Sequence, residues 1–109
     1  MDAISLLRIA SEPTRHGILT RLREREHNVS ELVAGLADEQ SNVSHHLQLL
    51  RDAGLVAARR DGRRQSYRIA DPEVGRLLAE IERVAARLDQ AAYTVKLGLP
   101  AAPGFSGYG

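Results

Sequence analysis

The segment at residues 38–54 constrains the fold more than any other part of this chain. At 100° per residue, Val43, Leu47 and Leu50 fall within one narrow arc of a helix, so this arc is predicted to face a hydrophobic core. The opposite side carries short side chains that donate and accept hydrogen bonds. These side chains are Gln40, Ser41, Asn42, Ser44, His45 and Gln48. We therefore predict a helix that packs on one side and presents a polar row on the other.

Apolar spacing predicts three shorter helices before this one. The first covers residues 3–10. The second begins near Pro13, which suits a first helical turn, with Ser11 as its predicted cap. A brief extended connector at residues 27–29 then leads to a third helix, for which Ser30 is the predicted cap. Gly54 ends the fourth helix, because glycine readily adopts the left-handed conformation found there.

A two-stranded hairpin and a long fifth helix follow. Residues 55–60 and 65–69 are predicted strands, Gly62 permits the tight turn, and Arg60, Arg63 and Arg64 project from the tip. Pro72 opens the fifth helix. From residue 98 onward no periodicity remains, which predicts a flexible tail over 98–109 after a single domain at 1–97. The fold class is mainly α with a two-stranded β wing, in the order helix-helix-helix-helix-strand-strand-helix.

The fifth helix carries a longer apolar stripe than a peripheral helix of a small domain needs. We predict that it pairs with its copy in a second subunit, with the first helix packed alongside, which would give a homodimer through the first and last helices. The alternative is that the stripe folds back on its own core. The residues predicted at the dimer interface are Leu6, Leu7, Leu77, Leu78, Ile81, Val84 and Leu88.

Composition excludes several classes of function. The 109 residues include no cysteine, which removes disulfides, thiolate metal sites and cysteine nucleophiles. No apolar run approaches a membrane span and the N-terminus lacks the layout of a signal peptide, so we expect a cytoplasmic protein. No nucleophile–base arrangement, phosphate-binding glycine loop or pair of catalytic carboxylates stands out, and we expect no enzyme.

Positive charge gathers where the polar helix and the hairpin lie. The net charge is only +1, but residues 40–68 hold six arginines against two aspartates, while the rest of the chain holds nine basic and twelve acidic residues. A localised basic face is typical of nucleic-acid binding. Asn and Gln can bond bidentately to adenine, and Arg can bind phosphate. The predicted partner is double-stranded DNA, read by the polar helix and held by the three wing arginines.

The four histidines do not form a metal site in this pattern. His45 and His46 are neighbours and diverge by about 100° on a helix, so they cannot chelate one ion together. His45 is predicted to point outward, and His46 to lie at the flank of the buried arc as a packing residue. His16 and His27 have no ligand-like neighbour and are interpreted as structural or solvent-facing.

These motifs resemble the ArsR/SmtB family of bacterial winged helix-turn-helix repressors, over about residues 4–90. The matching segments are residues 9–15 (IASEPTR), 29–32 (VSEL), 40–47 (QSNVSHHL), 50–56 (LRDAGLV), 60–64 (RDGRR) and 67–69 (YRI). The resemblance implies a homodimeric repressor that leaves its palindromic operator when an effector binds. It does not identify that effector.

The chain departs from the metal-sensing members of this family. Those that sense soft metals carry cysteines beside the third-helix motif, where this chain has residues 33–35 (VAG). Those that sense zinc, cobalt or nickel use Asp-x-His and a later His-x-x-His or His-x-x-Glu, where this chain has Asp71 and Glu73, then Val84 and Arg87. Carboxylates without imidazoles suit these metals poorly. We predict no cofactor, with Asp71 and Glu73 as weak metal candidates only.

Two other functions remain open. One is a metal-responsive repressor whose atypical site joins Asp71, Glu73 and a histidine of the partner chain. The other is a module that uses the winged helix to dock on another protein. The wing arginines and the outward polar row favour DNA over the docking module.

Overall fold

The computed structural model describes residues 1–98, apart from the side chains of residues 93 and 94. Its elements follow the predicted order with one addition. The helices are α1 (Ala3–Ser11), α2 (Pro13–Glu24), α3 (Val29–Leu36), α4 (Gln40–Asp52) and α5 (Pro72–Leu97), and the strands are β1 (His27–Asn28), β2 (Val56–Asp61) and β3 (Arg64–Ile69). Of the tail predicted over residues 98–109, residues 99–109 lie outside the described residues.

The extra strand is β1, in the segment that the sequence predicted to be only a connector. It pairs antiparallel with β3, His27 opposite Tyr67 and Asn28 opposite Ser66, so the sheet has three strands in the order β1-β3-β2. The hairpin of β2 and β3 is confirmed. A strand of two residues carries no alternating pattern of its own, because only its distant partner makes it a strand.

Two predicted helix caps were wrong by one or two residues. Ser11 lies in the last turn of α1, and the Glu12 side chain instead accepts the backbone N–H groups that open α2. Ser30 lies inside α3, which Asn28 caps by accepting from the Glu31 N–H at 2.9 Å. The Glu31 carboxylate accepts the Asn28 N–H in return at 3.1 Å. This reciprocal pair fixes the start of α3 two residues earlier.

The core lies where α2, α3 and α4 meet the sheet. Its aliphatic side chains are at most 4% exposed, and Tyr67 of β3 is 8% exposed. The aliphatic members in this part of the chain are Ile18, Leu19, Leu22, Leu32, Val43, Leu47, Leu50, Leu55 and Val56. The three residues of the predicted α4 arc are among them, so the predicted orientation of this helix is confirmed.

Each helix of the helix-turn-helix ends on a residue in the left-handed conformation. Ala37, at the end of α3, has φ of 52° and donates its N–H to the Val33 carbonyl. Gly54, after α4, has φ of 83°, and its N–H bonds the Arg51 carbonyl at 3.0 Å. The next N–H, of Leu55, reaches back to Leu50, which completes a Schellman end.

The chain divides into two compact units, Met1–Arg76 and the remainder from Leu77. The first contains α1 to α4 and the whole sheet. The second contains most of α5. No helix within residues 1–98 combines the length and apolar character that crossing a membrane requires.

Candidate nucleic-acid interface

The outward face of α4 carries most of the predicted polar row. Its buried arc packs on α2, α3 and β2, with Val43, Leu47 and Leu50 at most 1% exposed. Five of the six predicted DNA-reading side chains are exposed on this helix. They are Gln40, Ser41, Ser44, His45 and Gln48. The sixth, Asn42, is half-buried. The burial of one arc therefore fixes which side chains a duplex could meet.

Two amide side chains of α4 are held by carboxylates. Asn42 donates its Nδ2 to Asp38 at 2.6 Å, and Gln48 donates its Nε2 to Asp52 at 2.8 Å. The bond from Asn42, and then the backbone N–H of Glu39, holds the pKa of Asp38 below its ordinary value. Each bond uses one of the two N–H groups of its amide, so the second N–H and the oxygen remain to meet a base. The reading face is the exposed side of α4, which carries Gln40, Ser41, Ser44, His45 and Gln48. Asn42 thus belongs as much to the turn before α4 as to this face.

The two neighbouring histidines occupy different environments. His45 is exposed, whereas the His46 side chain is 13% exposed and meets the guanidinium of Arg15, with 3.1 Å between Nη1 and Nδ1. Glu12 Oε2 lies 3.6 Å from the same ring nitrogen. The outward and inward directions agree with the prediction. Sequence reasoning missed Arg15 and Glu12, because they lie about thirty residues from His46 and share no local pattern with it.

The wing presents its predicted arginines at the hairpin tip. Gly62 has φ of 63° in the two-residue turn between the paired residues Asp61 and Arg64. Arg60, Arg63 and Arg64 are all exposed. Within residues 1–98 no hydrogen bond or ion pair engages these three guanidinium groups. They are therefore free to meet an anion.

Arg59, on the same strand, is engaged. Its Nε and Nη2 donate to both carboxylate oxygens of Glu26 at 2.8 to 3.1 Å. This bidentate pair lowers the pKa of Glu26 and raises that of Arg59. It ties β2 to the segment just before β1. The arginine content of the hairpin therefore overstates the charge that it offers to a partner.

The weak metal candidates have local roles at the start of α5. Asp71 accepts the backbone N–H of Glu73 at 2.9 Å, and Glu73 forms an ion pair with Arg76 at 2.8 Å. Among the residues that the structure describes, no three His, Asp or Glu side chains are gathered so as to hold a metal ion.

The predicted dimer residues fall into two groups. Leu77, Ile81, Val84 and Leu88 line one face of α5 and are 37 to 51% exposed, and Leu7 of α1 is 55% exposed. Leu6 is half-buried. Leu78 is only 2% exposed in the single chain, so it offers almost no surface to a partner. It lies 100° from Leu77 around the helix, which the stripe from the sequence did not resolve.

Known proteins resemble this chain in sequence and structure. The model of the family described as "Bacterial regulatory protein, arsR family" matches residues 12–58. The HTH-type transcriptional regulator Rv0081 of Mycobacterium tuberculosis is 46% identical over 79 residues, 72% of this chain and 69% of the relative. The HTH-type transcriptional repressor SmtB of the same organism is 40% identical over 75 residues, 69% of this chain and 56% of that protein.

Solved structures share the fold. The crystal structure of Rv0081 superposes with a TM-score of 0.73 at 38% identity, covering 83% of this chain and 96% of that one. The solution structure of Mb0332 from Mycobacterium bovis, described as a homodimeric winged helix-turn-helix DNA-binding domain, gives a TM-score of 0.70 at 36% identity, covering 73% and 74%. These likenesses confirm the predicted fold and a regulatory role in place of an enzymatic one. The chain belongs to the ArsR family of bacterial winged helix-turn-helix transcriptional regulators.

Proposed function

We propose that this protein is a homodimeric repressor that binds a palindromic operator through α4 and the wing. An effector that is not bound through cysteines releases it. The observation that carries the proposal is the pairing, in one compact unit, of an exposed row of short polar side chains with three exposed, unengaged arginines. Because the proposed target is operator DNA, the proposed location of the protein is the bacterial cytoplasm.

The two elements supply different parts of DNA recognition. Side chains of the α4 face, such as Ser44 and His45, can donate and accept hydrogen bonds at base edges in the major groove. The N-terminus of α4 adds backbone N–H groups that suit a phosphate. Arg63 and Arg64 carry fixed positive charge at a hairpin tip, where they can bind phosphates or enter a narrow minor groove.

The dimer rests on the exposed apolar face of α5. Four side chains there are 37 to 51% exposed, which is costly in water and is removed when two copies of the face meet. The homodimeric state described for Mb0332 supports a dimer of this chain. Two copies related by a two-fold axis present two copies of α4, and this symmetry matches a palindromic site. The repressor role follows the description of SmtB.

The effector is proposed to be a small molecule other than a metal. The chain has no thiolate ligand. Asp71 and Glu73 are occupied by a helix start and an ion pair. A titration of the protein–DNA complex with divalent metals and with small metabolites tests this part. Release by zinc, cobalt or nickel would contradict it and favour the metal-responsive alternative.

The DNA interface is tested by the salt dependence of binding. Fluorescence anisotropy measures the Kd for a labelled duplex, first selected by the wild-type protein from a random library, at several salt concentrations. The log–log slope is the slope of log Kd against the logarithm of the salt concentration, and each phosphate neutralised adds about 0.9 to it. Replacing Arg63 and Arg64 by Ala should therefore flatten this slope by about 1.8. The fold should be unaffected, because both side chains are exposed.

A matched control removes two positive charges elsewhere. Arg76 and Arg83 are also exposed, and each pairs with a glutamate of α5. Their replacement by Ala should leave the slope within error of the wild type. An equal change in both double variants would mean that net charge, not the wing, sets the slope. Failure of the wild-type protein to bind any duplex at low salt would overturn the proposed function.

A further inference from the structure

A polar contact joins α4 to α2 within the first unit. Arg15, in the first turn of α2, approaches His46 of α4, with 3.1 Å between Nη1 and Nδ1. The Nε of the same guanidinium donates to the Ile9 carbonyl in α1 at 2.6 Å. A single planar group therefore links three helices. Its two directions are fixed together because the guanidinium is rigid.

Arg15 is itself held in place by Glu12. The Glu12 carboxylate accepts the backbone N–H groups of Arg15 and Thr14 at 2.9 and 3.1 Å. Partial burial opposes its ionisation, but these bonds and the nearby Arg15 outweigh burial, and the pKa of Glu12 lies below its ordinary value of 4.5. The carboxylate is thus ionised at neutral pH and balances the half-buried guanidinium.

His46 transmits this contact to the reading face. Arginine has only donors, so Nδ1 of His46 is the acceptor in this contact. The ring also meets the exposed His45 edge to face, with centroids 5.3 Å apart and planes at 62°. The orientation of His46 therefore limits that of a side chain proposed to meet DNA.

The core side chains of α4 are apolar and do not fix direction in the same way. Val43, Leu47 and Leu50 are almost fully buried, and burial of this kind is non-directional. A hydrogen bond depends steeply on angle and distance. A reading helix must be held within about 0.5 Å of its productive position to meet the edges of bases. The contact between Arg15 and His46 supplies such a constraint.

We propose that Arg15 and His46 are positioning residues that set how α4 presents its reading face. They thereby determine discrimination between operator and other DNA without touching the duplex. This inference rests on the proposed function.

The test uses two substitutions that place a hydrogen-bond acceptor differently. His46→Asn puts the side-chain oxygen close to the position of Nδ1, so the bond from Arg15 is kept. His46→Gln puts the oxygen nearer the position of Nε2, so the bond is lost. Gln is a better helix former than Asn, so helix propensity alone would favour His46→Gln. A loss of discrimination in His46→Gln therefore cannot be attributed to a weaker helix.

Arg15→Lys provides the partner substitution. It preserves the charge but replaces the rigid fork by one ammonium group, which cannot serve both Ile9 and His46 in the same geometry. Because the charge is kept, binding to DNA of unrelated sequence should change little. The double variant Arg15→Lys with His46→Gln completes a cycle.

The measured quantity is the ratio of Kd values for a scrambled duplex and for the selected duplex at one salt concentration. His46→Gln and Arg15→Lys should each lower this ratio about tenfold, the order of loss caused by one mismatched base pair. The double variant should lose no more than either single one, and His46→Asn should keep the ratio near that of the wild type. Urea unfolding of each variant records whether it is folded.

The possible failures point to different errors. If the wild type does not prefer the selected duplex, the proposed function fails and the inference fails with it. If the wild type discriminates and all variants retain its ratio, only the inference is overturned. It is also overturned if Asn and Gln lose discrimination equally, or if the ratio follows unfolding free energy alone.

Discussion

At the scale of single residues, the two left-handed positions of the helix-turn-helix are occupied by different amino acids. Gly54 adopts φ of 83° without steric cost, and a Cβ built there meets no atom within 4 Å beyond its own residue and its two chain neighbours. Ala37 adopts φ of 52° with its Cβ present. Non-glycine residues pay for this conformation through the contact of Cβ with the following carbonyl oxygen. The left-handed conformation is therefore relaxed at Gly54, after α4, and strained at Ala37, in the turn between α3 and α4.

Opposite substitutions at these two residues should have opposite effects. Gly54→Ala should lower the free energy of unfolding by about 1 kcal/mol, because it introduces the Cβ contact. Ala37→Gly should raise it by about 0.5 kcal/mol, since relief of strain exceeds the added flexibility of the unfolded chain. Urea denaturation followed by circular dichroism measures both. Destabilisation by Ala37→Gly would show that the left-handed strain at this turn is small.

Glu12 should make stability depend on acid pH. Its folded pKa lies below the ordinary value of 4.5, so its contribution to stability is present above pH 4.5 and is lost as pH falls through the folded pKa. Glu12→Gln should therefore destabilise the protein at pH 7 and have a smaller effect near pH 3. Urea midpoints over a pH series measure this difference. An effect of equal size at both pH values would rule out the charge as its cause.

The sequence predicted residues well where the signal is local. The burial of Val43, Leu47 and Leu50 follows from helical spacing alone. The caps were misplaced because several capable residues stand side by side, and at α3 the capping box between Asn28 and Glu31 decides which is used. The bond from Gln48 to Asp52 spans one helical turn and could have been read from spacing.

At the scale of elements, the wing, which is the hairpin of β2 and β3, contacts the segment around β1 through a strand pairing and an ion pair. β3 lies between β2 and β1, and Arg59 of β2 forms a bidentate ion pair with Glu26, just before β1. The sequence predicted the hairpin from its turn and flanking strands. It could not predict β1 or the engagement of Arg59, because both depend on residues that meet only after the chain has folded.

Glu26 should limit the affinity of the wing for DNA. Glu26→Gln removes the charge that holds Arg59, which frees one more guanidinium on β2. If that group meets a phosphate, the log–log salt slope should steepen by about 0.9. Stability should change little, because exposed ion pairs contribute weakly.

Glu80→Gln is the control for this substitution. It releases Arg83 on α5 by the same chemistry and with the same change of net charge. The salt slope of this variant should match the wild type. A slope that steepens equally in both variants would exclude a specific role for Arg59.

At the scale of the whole molecule, the exposed face of α5 is the feature that one chain leaves incomplete. Leu77, Ile81, Val84 and Leu88 recur at spacings of three and four residues and remain 37 to 51% exposed. Their spacing was evident in the sequence. Which neighbours are buried was not, as the 2% exposure of Leu78 shows.

A charge on this face should prevent dimerisation. Ile81→Glu places a carboxylate where two copies of the face are proposed to meet, and burying it without a partner is unfavourable. We expect a monomer by analytical ultracentrifugation and weaker binding to the selected duplex, with helix content unchanged. Ala79→Glu adds the same charge on the opposite side of α5 and should leave the dimer intact. A dimer that survives Ile81→Glu would exclude this face as the interface.

The pairing of β1 with β3 has a consequence for how the protein matures. His27 precedes the helix-turn-helix and Tyr67 follows it, so the hydrogen bonds between these strands close a loop around α3 and α4. A nascent chain cannot close that loop until Tyr67 has left the ribosome. A translation product that stops before β3 lacks the strand that pairs with β1, so this loop cannot close. The sheet, and with it the unit that carries the proposed DNA interface, should thus be completed only after Tyr67 has emerged.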